Sequence, residues 1–567
     1  MRVRAWVLGL SMTASAGGSQ PPEAPPTLIL HGGPIYTAGD VQPVAGAVAI
    51  RGDRIVRVGA AADVLALRGP ATEVVDLEGA AVVPGLHDAH GHFAGLGALR
   101  AMLDLAGTPT ADAVLRLVEA RAAAAPPGSW IVGRGWDQND WPEAQWPDRH
   151  RLDRAAPDHP VYLTRIDGHA AWVNSRALDL AGVSRQTADP PGGRIVRDAD
   201  GEPMGILIDV AQALVRRRIP PPGAAALEAS VLAADEECRR VGLTMVHDAG
   251  AGADLINIYE RLVRAGRLGT RLYVMLANER STTRAWFARG PLIDPAHRLT
   301  VRAVKLVADG ALGSRGAALI EDYADERGNR GLDVTAPGQL ELVARAAVGA
   351  GFQPCTHAIG DRANRAVLDL YERLMRDHEE MRALRPRIEH AQVLDADDIP
   401  RFGALGVVAS MQPTHCTSDM PWAADRLGEA RVEEGAYAWR KLLASKAVIA
   451  SGSDFPVERA DPLLGFYAAI TRQDQAGQPE SGWYADQRMT RAEALRAMTR
   501  DAAYAAHAER DLGVIAPGML ADLVVLSRDI MTVPPDEILQ TRVLRTIVGG
   551  RTVYSAAAGA TGRPPLP

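Results

Sequence analysis

The chain has 567 residues, 47% hydrophobic and 23% charged, a soluble globular balance on a length that exceeds one ordinary core. A formal net charge of −7 and the lack of any long basic block argue against nucleic acid as a partner. Cys238, Cys355 and Cys416 lie far apart with no CxxC, which argues against a disulfide framework or a cysteine zinc site. No stretch reaches the about 18 apolar residues of a membrane span, so no membrane association is expected.

Taken in chain order, "MRVRAWVLGLSMTASAGGSQPPEAPP" comes first, with Arg2 and Arg4 ahead of a short apolar core and the small residues Ala14, Ser15 and Ala16. It reads as a secretory leader, which would make the protein periplasmic or secreted, or as a Pro-rich lead-in to a cytoplasmic one. Residues 1–26 are therefore set apart. Short alternating strands with turn signals follow over 27–84 and return over 508–555. Two strand-rich pieces at opposite ends predict one small β-sandwich domain built from both. The tail 556–567 reads as disordered.

The middle alternates apolar runs with amphipathic helix patterns, the signature of parallel strands with helical crossovers. The runs fall at 81–86, 243–247, 271–276, 301–307, 353–356, 387–389, 407–411 and 447–450. Eight such units predict an α/β fold, a (β/α)8 TIM barrel over 85–507 with its active site at the C-terminal strand ends. Residues 94–235 are too long for a plain crossover and contain strand and turn patterns of their own. They predict a large insertion after strand 1, lying over the barrel mouth.

Polar residues then mark the strand ends. "VVPGLHDAHGHF" carries Asp88, His90 and His92 in one strand phase and His87 in the other. His87 is expected to pack between barrel and helices. Lys305 lies in "RAVKLVADG", His357 in "PCTHAIGD", His390 in "RIEHAQ" and Asp454 in "IASGSDFP". Imidazoles with a carboxylate suit zinc or a similar divalent ion. A lysine in an apolar strand is costly when charged; as a neutral amine it can take up carbon dioxide and become a bridging carbamate. Its alternative is an ammonium paired with Asp309. Asp454 has a rival role as a helix N-cap.

The order HxH, Lys, His, His, Asp resembles the amidohydrolase superfamily of metal-dependent hydrolases. "PGLHDAHGH", "VKLVADGALGS", "THAIGDRA", "RIEHAQ" and "SGSDFPV" look like the branch that includes N-substituted formamide deformylase, over roughly 27–554. The resemblance implies a binuclear site with two divalent ions, Zn2+ being expected. His90, His92 and Asp454 would hold one, His357 and His390 the other, with carboxylated Lys305 between them. A metal-bound hydroxide would attack a non-peptide C–N bond in an N-formyl or N-acyl amide or a carbamate, with Asp454 as the catalytic proton shuttle.

His169, Trp136, Asp137 and Arg315 are candidates for substrate contact, while Asp88, His247 and Asp248 are expected to support the ligands from behind. The partner is a small-molecule substrate, and a homodimer is the base-rate expectation. The alternative chemistry on the same site is ester, lactone or phosphoester hydrolysis. A non-catalytic barrel would be expected to have lost ligands, and here every position is filled.

Overall fold

The apolar stretch ahead of His90 is divided between two sheets. In the structure, a computed structural model that describes residues 24–557, Ala81–Pro84 pairs antiparallel with Leu523–Leu526, and the first barrel strand is Leu86–Gly91. The first strand expected at 81–86 is therefore corrected. The run from Ala81 to Leu86 has no polar side chain, so hydrophobicity alone does not reveal the change of sheet at Gly85.

The parallel barrel continues through Leu243–Ala251, Arg271–Leu276, Leu299–Val307, Gln353–Ala358, Arg387–His390, Val408–Met411 and Ile449–Ser451, each paired with the next. The last strand returns to the first. His92 N–H donates to Phe455 O (2.7 Å) and Asp454 N–H to His90 O (2.6 Å), joining the two strand ends that carry the HxH pair and the aspartate.

Crossover helices cover the outside. In Asp361–Asp377 the buried residues Ala363, Val367, Leu370, Tyr371 and Leu374 recur at helical spacing and form one apolar stripe. Tyr371 fixes the stripe to the fifth strand through a 2.7 Å hydrogen bond with Thr356 Oγ1. Each fully buried Val or Leu there contributes about 1.5–3 kcal/mol.

The two chain ends form one eight-stranded sheet, with Leu523–Leu526, Val543–Val548 and Arg551–Ser555 placed beside strands from 28–84. Inward residues Leu28, Leu30, Val48, Ile50, Leu523, Val525 and Ile547 make its core. The insertion holds a separate six-stranded sheet in the order Gly193–Arg197, Pro203–Asp209, Ala170–Val173, Val161–Arg165, Ile131–Trp136 and Leu103–Asp104. It rests on the loop after the fourth barrel strand: a Cβ on Gly310 would lie 2.4 Å from Asp209 Oδ2. The close approach needs glycine.

The leader expected at 1–26 falls almost wholly outside the described residues, as does most of the 556–567 tail. Among the described residues no helix is long and apolar enough to cross a membrane.

Candidate active site

His90 is fully buried and points across the barrel. Its Nδ1 lies 2.5 Å from Glu389 Oε2 on the sixth strand, and its Nε2 lies 2.9 Å from Lys305 Nζ and 3.6 Å from Asp454 Oδ1. His92, on the mouth side, brings Nε2 to 3.1 Å from the same carboxylate oxygen. The ring of His390 lies tilted 4.9 Å from that of His90 and edge-on 4.6 Å from that of His357, and its Nδ1 lies 2.8 Å from Gln412 Oε1. Donor atoms of His90, His390 and Asp454 all fall within 4.8 Å of one another. The structure thus brings together His90, His92, Lys305, His357, His390 and Asp454.

Backbone strain helps to aim two of them. His390 (φ +76°) and Asp454 (φ +59°) both occupy the left-handed region, at about 1–3 kcal/mol each. The N-cap role considered for Asp454 belongs to Asp461, whose carboxylate accepts from Leu463 N–H at 3.0 Å. Asp454 Oδ1 is buried and has no well-aligned donor, the condition of an oxygen reserved for a cation.

Lys305 faces this cluster, and burial pulls its ammonium below the ordinary lysine range. Asp309, the alternative partner, is taken up elsewhere. Its oxygens accept the amides of Ala318, Ile359 and Gly360 at 2.8–3.0 Å, and burial raises its pKa to about 7.

Behind the cluster, Asp88 accepts from His90 N–H (3.0 Å) and Ser453 Oγ (2.5 Å), tying the first and last strand ends together. Burial raises its pKa to about 7. Asp248 accepts from Phe93 N–H (2.9 Å) and Tyr259 OH (2.8 Å), anchoring the backbone just past His92. His247 lies 2.9 Å from Arg387 Nη1, and Arg387 also grips Glu389 with two nitrogens.

These contacts correct the placement of His87. Its ring lies 6.2 Å from His247, whose bond to Arg387 joins the second strand to the sixth and so crosses the barrel interior. His87 therefore faces the inside rather than the helices. The first strand slips register twice against its neighbour, so simple alternation fails there.

His169 projects from the insertion, its ring 5.1 Å from that of His357 and its Nδ1 2.6 Å from Asp209 Oδ1. Burial alone would lower its pKa, but Asp209 raises it to about 9. It lines a cavity of about 1660 Å³ between barrel mouth and insertion, together with Asp137, Lys305, His390 and Asp454. Asp137 is tied to Arg165 and to Asn139 N–H.

Two candidates for substrate contact lie elsewhere. Trp136 is fully buried in the insertion core, its ring about 6 Å from those of Trp141, Trp146 and Trp172. Its bulk and its 2.8 Å indole bond to Leu163 O make it a packing residue. Arg315 stands outside the main cavity and pairs with Asp325 at 2.8 Å.

Sequence reasoning passed over His415. It follows the seventh strand, with Nε2 3.5 Å from Asp454 Oδ2 and Nδ1 3.1 Å from Glu458 Oε1. Burial is outweighed by these two carboxylates, and its pKa rises to about 10. A histidine four residues past the strand end was the available signal. Glu389 was likewise legible only as a letter in "RIEHAQ".

The sequence pattern of the amidohydrolase family matches residues 73–554. The chain belongs to the amidohydrolase family. This amidohydrolase is 35% identical over 543 residues to the protein LONG AFTER FAR-RED 3 of Arabidopsis thaliana, covering 93% of this chain and 91% of that one. It is 29% identical over 525 residues to N-substituted formamide deformylase of Arthrobacter pascens, covering 90% and 95%. Among solved structures, an uncharacterized metal-dependent hydrolase from Pyrococcus horikoshii OT3 superposes with a TM-score of 0.71 at 27% identity, covering 90% and 99%. As a member of this family the protein is an enzyme, a hydrolase.

Proposed function

We propose that this amidohydrolase is a metal-dependent hydrolase of a non-peptide C–N bond, in an N-formyl or N-acyl amide, a carbamate or a related compound. One observation carries the reading. Donor atoms of His90, His390 and Asp454 converge within 4.8 Å of one another, beside a large cavity that His390 and Asp454 line, and the buried Asp454 Oδ1 has no well-aligned donor. Imidazole and carboxylate donors suit Zn2+ or a similar divalent ion.

On this reading His90, His92 and Asp454 would hold one ion and His357 and His390 a second. Lys305 would serve as a further ligand in its carbamate form, which its buried neutral amine would form by adding to carbon dioxide with loss of a proton. A bound divalent ion supplies a polarised carbonyl and a water acidic enough to ionise near neutral pH. Asp454 takes the proton of the attacking water and delivers it to the leaving nitrogen. His169, held as a cation by Asp209, donates to the carbonyl oxygen as negative charge grows there. The name of the Arthrobacter pascens relative supports a formamide or related amide as substrate.

Metal analysis of the purified protein, followed by a panel of formamides, acyl amides, carbamates, lactones and phosphoesters, tests the reading. The expected result is about two equivalents of metal per chain and turnover of C–N substrates. A folded protein that binds no metal, or one that turns over only lactones or phosphoesters, rejects it.

A further inference from the structure

The cavity wall contributed by the insertion carries guanidinium charge that no carboxylate pairs with. Arg134 and Arg216 both line the cavity, and among the described residues neither makes an ion pair. Arg165, on the strand beside Arg134, shows the ordinary alternative. It is bound to Asp137, to Asp167 at 2.5 Å and to Gln138 Oε1 at 2.8 Å.

The position of Arg134 is built by a bulge. In a regular strand residues 134 and 136 would face the same way. The register against Val161–Arg165 slips between Arg134 and Trp136, and Gly135 adopts φ +112° with no room for a Cβ, which would lie 2.7 Å from Ala106 N. Trp136 thus sinks into the insertion core, while Arg134 lines the cavity.

One edge of the guanidinium is pinned, since Nη2 donates to Ile166 O at 2.7 Å. Its Nε is buried and has no partner. Burial pulls the group below the ordinary arginine range, against the pull of Asp454 and Asp167 acting through space. Neither acid is available to it. Asp167 is committed to Arg165 and to His169 N–H (2.9 Å), and Asp454 to the histidine cluster.

An arginine desolvated without an anion is costly, and its planar fork matches a carboxylate. Arg134 and Asp454 line the same cavity, so one small molecule could present its reacting carbon to the second and a carboxylate to the first. We infer that Arg134 anchors a carboxylate of the substrate, so that the hydrolysed amide or carbamate carries a free carboxylate remote from the scissile bond. The inference rests on the hydrolase reading above. Arg216, more exposed at the rim of the same cavity, draws the anion in.

The experiment compares N-formyl-ω-amino acids of increasing chain length with their terminal carboxamides. Both series are assayed for turnover with the metal-loaded enzyme, and their hydrolysis-resistant methanesulfonamide analogues are assayed for binding by calorimetry. At one chain length the carboxylate should bind about 10- to 100-fold more tightly than the carboxamide. Arg134→Gln should remove that preference through KM with little change in kcat, Arg134→Lys should restore part of it, and Arg216→Gln should lower it only slightly.

Equal binding of carboxylate and carboxamide to the unaltered enzyme at every length overturns the anchor, whether or not a variant folds. An undiminished preference in folded Arg134→Gln overturns it as well. The two readings fail separately. Arg134-dependent carboxylate binding without turnover of any C–N compound would reject the hydrolase reading and keep the anchor. Equal turnover and equal binding of both series would do the reverse.

Discussion

Glu389 Oε2 lies 2.5 Å from His90 Nδ1, and Arg387 holds the same carboxylate through two nitrogens at 2.8 and 2.9 Å. Burial alone would raise the pKa of Glu389, but Arg387 and His90 hold it well below the usual carboxylate range. An ionised carboxylate only accepts hydrogen bonds, so His90 Nδ1 must carry the proton. The lone pair of His90 is thereby presented at Nε2, toward Lys305 and Asp454. The carboxylate selects the tautomer that can bind a metal.

Glu389→Gln keeps the shape and removes the charge. Metal affinity should fall by about 10- to 100-fold, measured by competition with a chromophoric chelator. Stability should fall by about 3–5 kcal/mol, because Arg387 would be left buried with an uncompensated charge. Unchanged metal affinity would remove Glu389 from the account of His90.

Lys305→Ala should lose bound metal and activity together. Elemental analysis beside a turnover assay reads both. Full activity in this variant would refute the bridging role.

His169→Asn should lower kcat by about 10²- to 10⁴-fold with metal content unchanged, since the donor comes from the insertion. Asp209 raises the pKa of His169 to about 9 against the effect of burial. The cationic donor is present below that value and lost as pH rises through it, so activity should decline above about pH 9. In His169→Asn that alkaline decline should disappear from the pH–rate profile.

His87 is buried with both ring nitrogens unpartnered, and burial lowers its pKa to about 4. The unfolded chain takes up this proton near pH 6.5, the folded protein only near 4. The contribution of the neutral ring is therefore complete above about 6.5 and lost as pH falls through that window, about 3 kcal/mol in all. His87→Leu should escape this loss and unfold later than the parent at pH 4.5, with activity at pH 7 within about twofold. Parallel acid sensitivity of the two proteins in urea unfolding would contradict this account.

Arg315→Ala should leave kcat/KM within about twofold, because its partner is the partly exposed Asp325 outside the cavity. A large loss measured with the metal-loaded enzyme would return Arg315 to the substrate site.

Most of the architecture and the cluster of six polar strand-end residues could be read directly from "HGH", Lys305, His357, His390 and Asp454 in order. In a parallel barrel each strand end faces the same mouth, so chain order alone gathers such residues. Contacts between distant strands were not legible. Glu389 meets His90 from 299 positions away, and His415 meets Asp454 through a helix that follows the seventh strand. Local irregularity hid the rest. Slips of register turned His87 inward, and a bulge at Gly135 sent Trp136 and Arg134 to opposite destinations. Periodicity assigns a face only while the strand is regular, and strands are least regular where they form the site. The residue types of the candidate site were thus present in the amino-acid order, whereas the proton on His90 and the position of Arg134 on the cavity wall follow from packing across the barrel and within the insertion.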